Sequence, residues 1–210
     1  MVAFILALVV VGIILMIAEH LAHNTDLHAE VTRKFVHMLV GTFVAFWPFF
    51  MSWRQIEIMS LLFFIVIALS VKFTFFRSIH TVPRQAVGEL LFAMVIGFLA
   101  LISSSEWIFM AAMLHLSLGD GAAAIIGLLY GDKNQYKVLG KTKSIAGTSA
   151  FFVTSLMIMI GYVVFSGGPG GVITLALVPI MATVTENLAI NGTDNLIMPL
   201  LVAFILGGAT

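Results

Sequence analysis

The sequence from Ser117 to Gly131 reads Ser-Leu-Gly-Asp-Gly-Ala-Ala-Ala-Ile-Ile-Gly-Leu-Leu-Tyr-Gly and places one acidic residue, Asp120, inside a long apolar run. An ionised carboxylate is costly in such surroundings unless it faces a cavity, a partner or an ion. Ser117 lies three residues earlier, on the same face of a helix. One interpretation is a packing role, with Asp120 hydrogen-bonded to Ser117. We favour a functional role, because no basic residue accompanies Asp120 in this apolar run.

Small residues recur at every fourth position of the same stretch, at Gly119, Ala123, Gly127 and Gly131. On a helix, residues four apart lie on one face, so these residues form a smooth stripe. Such a stripe allows another helix or a ligand to come close. The sequence therefore predicts a tightly contacted helix face next to Asp120.

The composition indicates a polytopic membrane protein of the all-α class. Of 210 residues, 61% are hydrophobic, and ten basic residues balance ten acidic ones. The zero net charge offers no electrostatic argument for nucleic acid, and the absence of cysteine excludes disulfides and thiolate catalysis. We expect residues 1–210 to form one integral membrane domain. A membrane span needs about 20 apolar residues, and eight candidates lie at about 2–18, 35–51, 56–72, 86–103, 107–130, 146–165, 171–189 and 195–208.

The polar connections between these segments predict the orientation. With eight spans, alternate connections share a side, and one side collects nine of the ten Lys and Arg residues. The positive-inside rule places these nine in the cytoplasm. The sequence therefore predicts a multi-pass protein of the cell membrane, with both termini outside and the unusual polar clusters at the cytoplasmic face.

Three acidic residues are candidate metal ligands on that side: Asp120, Glu186 and Asp194. Mg²⁺ takes one or two carboxylates, together with substrate phosphates and water. Asp194 is also a good candidate for capping the last helix, and Asn195 beside it either caps that helix or binds a nucleotide. Taken together, the three acids favour an ion site.

The segment Gly140-Lys141-Thr142-Lys143-Ser144 is rich in groups that bind phosphate. It is not a Walker P-loop, because Gln135 stands where that motif requires glycine, and we expect no strand before it. The following residues, Ser144 to Thr148, should begin a helix whose free N–H groups favour anions. The alternative is an ordinary basic loop of a membrane protein.

The segment Arg33-Lys34-x-x-His37 opens the second predicted helix. Arg33 and His37 are four apart and should share one face. Basic residues flank many membrane spans, so the alternative role is topogenic. His37 lies inside the apolar part, where a histidine can act as a base.

In order along the chain, four motifs carry a resemblance: Arg-Lys-x-x-His, Ser-x-Gly-Asp-x-x-Ala-x-x-x-Gly-x-x-x-Gly, Gly-x-x-Lys-Ser-x-x-Gly-Thr and Glu-x(7)-Asp-Asn-x-x-x-Pro. They span residues 33–199. The pattern resembles the CTP-dependent lipid kinases, which include dolichol kinase, phytol kinase and the yeast-type diacylglycerol kinase. These kinases are grouped with the phosphatidate cytidylyltransferases, so the resemblance implies the fold of that superfamily.

The resemblance implies transfer of phosphate from CTP to a membrane alcohol with the help of Mg²⁺. It implies catalytic roles for Asp120, Arg33, Lys34 and His37. The nucleotide would contact the set Lys141, Lys143, Ser144, Gly147, Thr148 and Asn195, and the metal the set Asp120, Glu186 and Asp194. The partners implied are a lipid alcohol, a nucleoside triphosphate and membrane lipids, without nucleic acid, and a homodimer is compatible with this assignment.

Two other functions are compatible with the same residues. A CDP-lipid synthase would use CTP to cytidylylate a lipid phosphate, although Ala146 stands where the cytidylyltransferases commonly carry an acid. A membrane transporter would use Asp120 and Glu186 along an ion path. The transporter is disfavoured, because a transport path should reach both sides of the membrane.

Overall fold

A computed structural model describes residues 2–24, 29–73, 83–167 and 172–208. It confirms the all-α class and places a helix on each of the eight predicted segments. Arg77, one of the nine basic residues used to predict the orientation, lies outside the described residues. The helices are α1 (Val2–Asn24), α2 (Ala29–Ala45), α3 (Trp53–Phe73), α4 (Pro83–Ile102), α5 (Glu106–Leu114), α6 (Asp120–Tyr130), α7 (Ile145–Ser166), α8 (Val172–Leu188) and α9 (Asp194–Gly208).

Four helical stretches of the described chain are long and apolar enough to cross a membrane, namely Val2–His20, Trp53–Phe73, Glu106–Tyr130 and Ile145–Ser166. Three further apolar helical stretches are shorter: Val87–Ile102, Ile173–Leu188 and Asp194–Gly208. The apolar side chains that α1 and α3 expose in large number suit contact with lipid. The chain is therefore a polytopic membrane protein.

The second predicted segment is displaced along the chain. We predicted residues 35–51, whereas α2 runs from Ala29 to Ala45 and a short 3₁₀ helix, Trp47–Phe49, follows it. The later boundary was wrong because Pro48 has no backbone N–H to continue the α-helical hydrogen bonds. The earlier boundary was wrong because Arg33 and Lys34 lie inside the helix, where they have partners.

The fifth predicted segment is interrupted at its centre. A π-helical turn, His115–Gly119, separates α5 from α6. In this turn Ser117 donates from Oγ to the carbonyl of Met113 at 2.9 Å, so it does not serve Asp120 as a packing partner. Helix α5 and the turn are buried almost throughout, and Phe109, Met113 and Leu116 are fully enclosed. Helices α2, α7 and α9 pack against this buried segment.

The basic segment after α6 forms a β-hairpin, which the sequence analysis did not predict. Strand β1 (Gln135–Val138) pairs antiparallel with β2 (Lys141–Ser144). Leu139 and Gly140 form the turn with φ values of 48° and 77°, a conformation in which glycine carries little cost. The expectation that no strand precedes Gly140 was therefore wrong, although the hairpin has no resemblance to a P-loop.

Glycine allows α2 to lie directly on the π-helical turn. A Cβ atom at Gly41 would lie 2.5 Å from Cβ of Ser117, closer than packed carbon atoms approach. A Cβ atom at Gly121 would collide with the side chain of Met38 in the same way. The close contact of α2 with the π-helical turn and with α6 therefore depends on both glycines.

We predict that Gly41→Ala lowers stability by about 1–3 kcal/mol, because the added methyl overpacks a rigid contact. Thermal unfolding in detergent measures the effect. Gly161→Ala is the matched control, because a Cβ atom there meets nothing within 4 Å. It should be neutral or slightly stabilising, as alanine favours helix over glycine. Equal melting temperatures for the two variants would contradict the packing described here.

Candidate active site

Asp120 and Lys34 form a buried ion pair at the centre of the candidate site. Lys34 donates from Nζ to Oδ2 of Asp120, across 86 positions of sequence. Their side chains are 11% and 7% exposed. The cation that the sequence did not show beside Asp120 thus comes from α2. Buried charges are tolerated when they are paired, so this contact explains how a carboxylate persists in the apolar interior.

His37 lies one turn after Lys34 and faces the same carboxylate. Its Nε2 is 3.8 Å from Oδ2 of Asp120 and 3.2 Å from the carbonyl oxygen of Leu116. A carbonyl only accepts hydrogen bonds, so Nε2 carries the hydrogen and Nδ1 is the acceptor of the ring. The ring also packs at a tilt against Phe92 of α4, with 4.8 Å between the ring centroids. His37 therefore borders both the ion pair and α4.

The π-helical turn was not predicted, and it contributes directly to the site. Its residue Leu116 holds the His37 ring, and Asp120 follows its last residue. π-helical turns are rare and occur frequently at functional sites. The sequence carried one signal, the short polar and small residues His115, Ser117 and Gly119 inside a hydrophobic helix.

Glu186 and Lys143 form a second buried ion pair. Lys143 donates from Nζ to Oε1 of Glu186 and, at 3.1 Å, to the backbone carbonyl of the same residue. Glu186 lies in the last turn of α8, where the helix dipole disfavours negative charge. Lys143 offsets both the dipole and the carboxylate. Lys141 donates to the carbonyl of Ala189 at 3.1 Å, so both lysines attach the hairpin to the end of α8.

A hydrogen-bonded cluster fastens the other side of the hairpin. The hydroxyl of Tyr136 lies between Thr148 of α7 and Asn187 of α8 and contacts both side chains. Thr148 also donates to Oδ1 of Asn187 at 3.3 Å. The sequence analysis proposed a nucleotide contact for Thr148 and overlooked Tyr136. In the structure these residues connect the hairpin with α7 and α8.

The beginning of α7 is already capped. Helix α7 begins at Ile145, as predicted, with Ser144 as N-cap accepting from the Gly147 amide at 3.1 Å. The amide of Ile145 donates to the carbonyl of Asn134 at 3.0 Å, and that of Ala146 to the Asn134 side chain at 3.4 Å. The expectation of free N–H groups for an anion was therefore wrong here.

The small-residue stripe of α6 is covered by α7. A Cβ atom at Gly127 would lie 3.3 Å from Oγ of Ser144, and one at Gly147 would lie 2.7 Å from the Ala123 carbonyl. A Cβ atom at Gly119 would meet the ring of Phe151 at 3.0 Å. Of the two occupants considered for the stripe, the structure selects a neighbouring helix. A lipid chain does not lie along it.

Asp194 and Asn195 begin α9 close to α4. Asn195 is buried and donates from its side-chain amide to the Gly88 carbonyl at 2.7 Å. Gly192 approaches the same place, because a Cβ atom on it would lie 2.6 Å from the Gly88 Cα. Asn195 thus holds α9 against α4, and this contact sets the position of Asp194.

The three predicted metal ligands lie within electrostatic range of one another. The charge of Asp120 acts on both Glu186 and Asp194, and the charge of Asp194 acts on Glu186. Lys34 and Lys143 also act on Asp194. In the part of the chain that the structure describes, His, Asp and Glu side chains do not form a group of three placed to hold a metal ion. The arrangement is a mixed cluster of acids and lysines.

An apolar cavity of about 280 Å³ adjoins this cluster, between α1, α2, α3 and α4. Arg33, His37 and Glu89 contribute charged or polar side chains to its wall. Arg33 and His37 share the cavity face of α2, as their spacing predicted. Glu89 interacts electrostatically with Arg33. Glu89 was not predicted as a site residue, although an acid directly before a long apolar stretch could have indicated one.

The Lys34–Asp120 pair yields a stability prediction. Lys34→Met should cost about 3–5 kcal/mol, because it leaves a buried carboxylate without its main partner. The double variant Lys34→Met/Asp120→Leu should recover most of that loss, since neither charge then remains buried. Thermal unfolding of the four proteins in detergent completes the cycle. A Lys34→Met variant as stable as the unaltered chain would show that another group neutralises Asp120.

Comparison with known proteins gives one informative relative. The phytol kinase of Synechocystis sp. is 31% identical to the chain over 202 residues, which cover 93% of this chain and 86% of the relative. No protein-family model matches the chain, and no solved structure matches it significantly. The chain therefore belongs to the lipid kinase family that includes phytol kinase.

Proposed function

We propose that the protein transfers a phosphoryl group from CTP to the hydroxyl of an isoprenoid alcohol of the phytol type. The observation that carries the proposal is the position of the acid and lysine cluster, which His37 separates from an apolar cavity. Transfer from a charged phosphate donor to an apolar acceptor requires a charged site directly beside an apolar one. The relative supports the kinase activity and the phytol-type acceptor, and the motif resemblance supports CTP.

The acidic cluster suits a magnesium ion that arrives with a nucleotide. Asp120, Glu186 and Asp194 offer hard carboxylate oxygens, and Mg²⁺ needs only one or two of these when phosphates and water complete its shell. These residues would hold the ion, which supplies positive charge to the phosphates when bound. Their mutual repulsion in the described structure favours added positive charge, which Lys34 and Lys143 supply only in part.

The hairpin supplies the remaining positive charge for the triphosphate. Lys143 and Lys141 lie beside Glu186 and the end of α8, next to the acid cluster. We assign them to the phosphates, as the sequence predicted. We assign Ser144 and Gly147 a positioning role rather than a nucleotide contact, because they hold the hairpin and α7 in place. Thr148 and Asn195 likewise act by positioning the elements around the nucleotide.

The transfer itself requires little covalent work from the protein. The alcohol oxygen forms a bond to the γ-phosphorus, the bond to the nucleoside diphosphate breaks, and the hydroxyl proton passes to His37. The acceptor nitrogen of His37 is Nδ1, because Nε2 faces the Leu116 carbonyl. Arg33 and Lys34 stabilise charge on the transferred phosphate. Positioning and electrostatic stabilisation account for most catalysis of this type.

The site is assigned to the cytoplasmic face of the membrane, where nucleoside triphosphates are available. Contacts bring the α2, hairpin, α8 and α9 residues of the cluster to one end of the molecule. The cluster contains Lys34 and Lys143, with Arg33 and Lys141 beside it, and the positive-inside rule favours such residues on the cytoplasmic side.

We predict that Asp120→Asn lowers kcat/KM for phosphoryl transfer by at least about a hundredfold, because it removes a charge that orders the phosphates and their cation. The assay uses γ-labelled CTP and phytol with the purified protein in detergent, with unfolding temperature as a check. Asp132→Asn, an exposed acid of the same type, is the control and should retain activity. Full activity of Asp120→Asn would remove this residue from the mechanism. Release of pyrophosphate with a CDP-lipid product would identify a cytidylyltransferase instead.

We predict that Lys143→Gln raises the KM for CTP by about tenfold, since a charge-assisted contact with phosphate is lost. Lys137→Gln changes an exposed lysine of the same hairpin and should alter KM little. Steady-state kinetics at varied CTP and at varied ATP measure both effects and the nucleotide preference. Equal changes in the two variants would indicate general attraction rather than a defined phosphate contact.

A further inference from the structure

The cavity between α1 and α4 has the shape and chemistry of a binding site for a single hydrocarbon chain. Its walls are formed by apolar side chains of four helices, including Leu8, Leu15, Val40 and Phe63. Ser70 is the only polar residue among the lining residues of α1 and α3. At about 280 Å³ the cavity lies at the small end of ligand pockets, which suits one chain better than two.

The charged residues of the cavity and His37 come from α2 and α4, at the end of the cavity next to the charged cluster. Arg33 and His37 lie on successive turns near the start of α2, and Glu89 lies in the second turn of α4. Phe92, one turn after Glu89, packs against the His37 ring. The cavity therefore has apolar walls and one charged end, called the head, which is formed by Arg33, His37 and Glu89.

His37 connects this head to the phosphate-handling residues. The ring lines the cavity and also approaches Oδ2 of Asp120 to 3.8 Å. A hydroxyl group held at Arg33, His37 and Glu89 would thus be one side chain away from the acid cluster. The small-residue stripe of α6 offers no competing place for a chain, because α7 covers it.

We propose that this cavity holds the hydrocarbon chain of the lipid alcohol and that Arg33, His37 and Glu89 hold its hydroxyl group. The inference rests on the proposed function, because it assigns the acceptor site of that kinase. The hydroxyl donates its hydrogen to Nδ1 of His37 and accepts a hydrogen bond from Arg33, and the Glu89 carboxylate keeps Arg33 in place. Since lipid tails and cavity walls are equally apolar, selection of the chain arises from steric fit.

Gly12 offers a direct test, because it lines the cavity and a Cβ atom there meets nothing within 4 Å. Gly12→Leu fills the cavity. It should lower kcat/KM for a long-chain isoprenoid alcohol by at least about tenfold and leave a short-chain analogue nearly unchanged. Gly161→Leu is the matched control, an equally open glycine on α7 outside the cavity wall, and should change neither value. In the same assay Glu89→Gln should lower turnover of both alcohols alike, because it alters the head.

A second measurement does not depend on turnover. The unaltered protein is labelled with a photoreactive long-chain alcohol, and the crosslinked peptides are identified. Crosslinks to Leu8–Leu15 and Leu62–Ile67 support the cavity, whereas crosslinks confined to α6–α9 overturn it. The cavity assignment is also overturned if the unaltered enzyme phosphorylates alcohols and Gly12→Leu shows the same dependence of kcat/KM on the chain length of the alcohol. An unaltered enzyme that phosphorylates no alcohol removes the proposed function, and the crosslinks then decide the cavity independently.

Discussion

The architecture depends on one constraint, the neutralisation of a carboxylate inside an apolar protein. Asp120 is tolerated there because Lys34 reaches it from another helix. That reach requires α2 to lie directly on the π-helical turn and on α6, which glycines 41 and 121 allow. The position of α2 in turn brings His37 and Arg33 to the wall of the cavity. One electrostatic requirement thus links the packing of the helices with the location of the candidate active site.

The β-hairpin applies the same principle at the other side of the cluster. Lys143 neutralises Glu186 at the end of α8, and the cluster of Tyr136, Thr148 and Asn187 holds the hairpin between α7 and α8. Acids and lysines are therefore interleaved rather than separated into a metal site and a phosphate site. Such a cluster tolerates a highly charged ligand that carries its own cation, because both kinds of charge find partners in it.

The sequence was informative about some residues of the site and silent about others. Asp120, Lys34 and Glu186 were recognised because charges are conspicuous among apolar residues. The pairing of Lys34 with Asp120 could not be predicted, since the two residues lie 86 positions apart. Glu89 was missed, because a single acid near a helix N-terminus has an ordinary explanation in the helix dipole. The predicted anion site at α7 was wrong for a similar reason. Asn134, which accepts from the amides of Ile145 and Ala146, lies eleven residues before Ile145, next to a hairpin that was not predicted.

By itself the sequence determined the helical class, the membrane environment, the approximate limits of the helices and the list of unusual polar residues. These are local properties, set by the length of apolar runs and by the residues that interrupt them. Only the tertiary structure decided which lysine neutralises which acid, that α7 rather than a lipid chain covers the stripe, and that an apolar cavity opens beside His37. Those outcomes depend on which helices are in contact and how closely they pack. Contacts between distant segments produce no periodic pattern in the sequence.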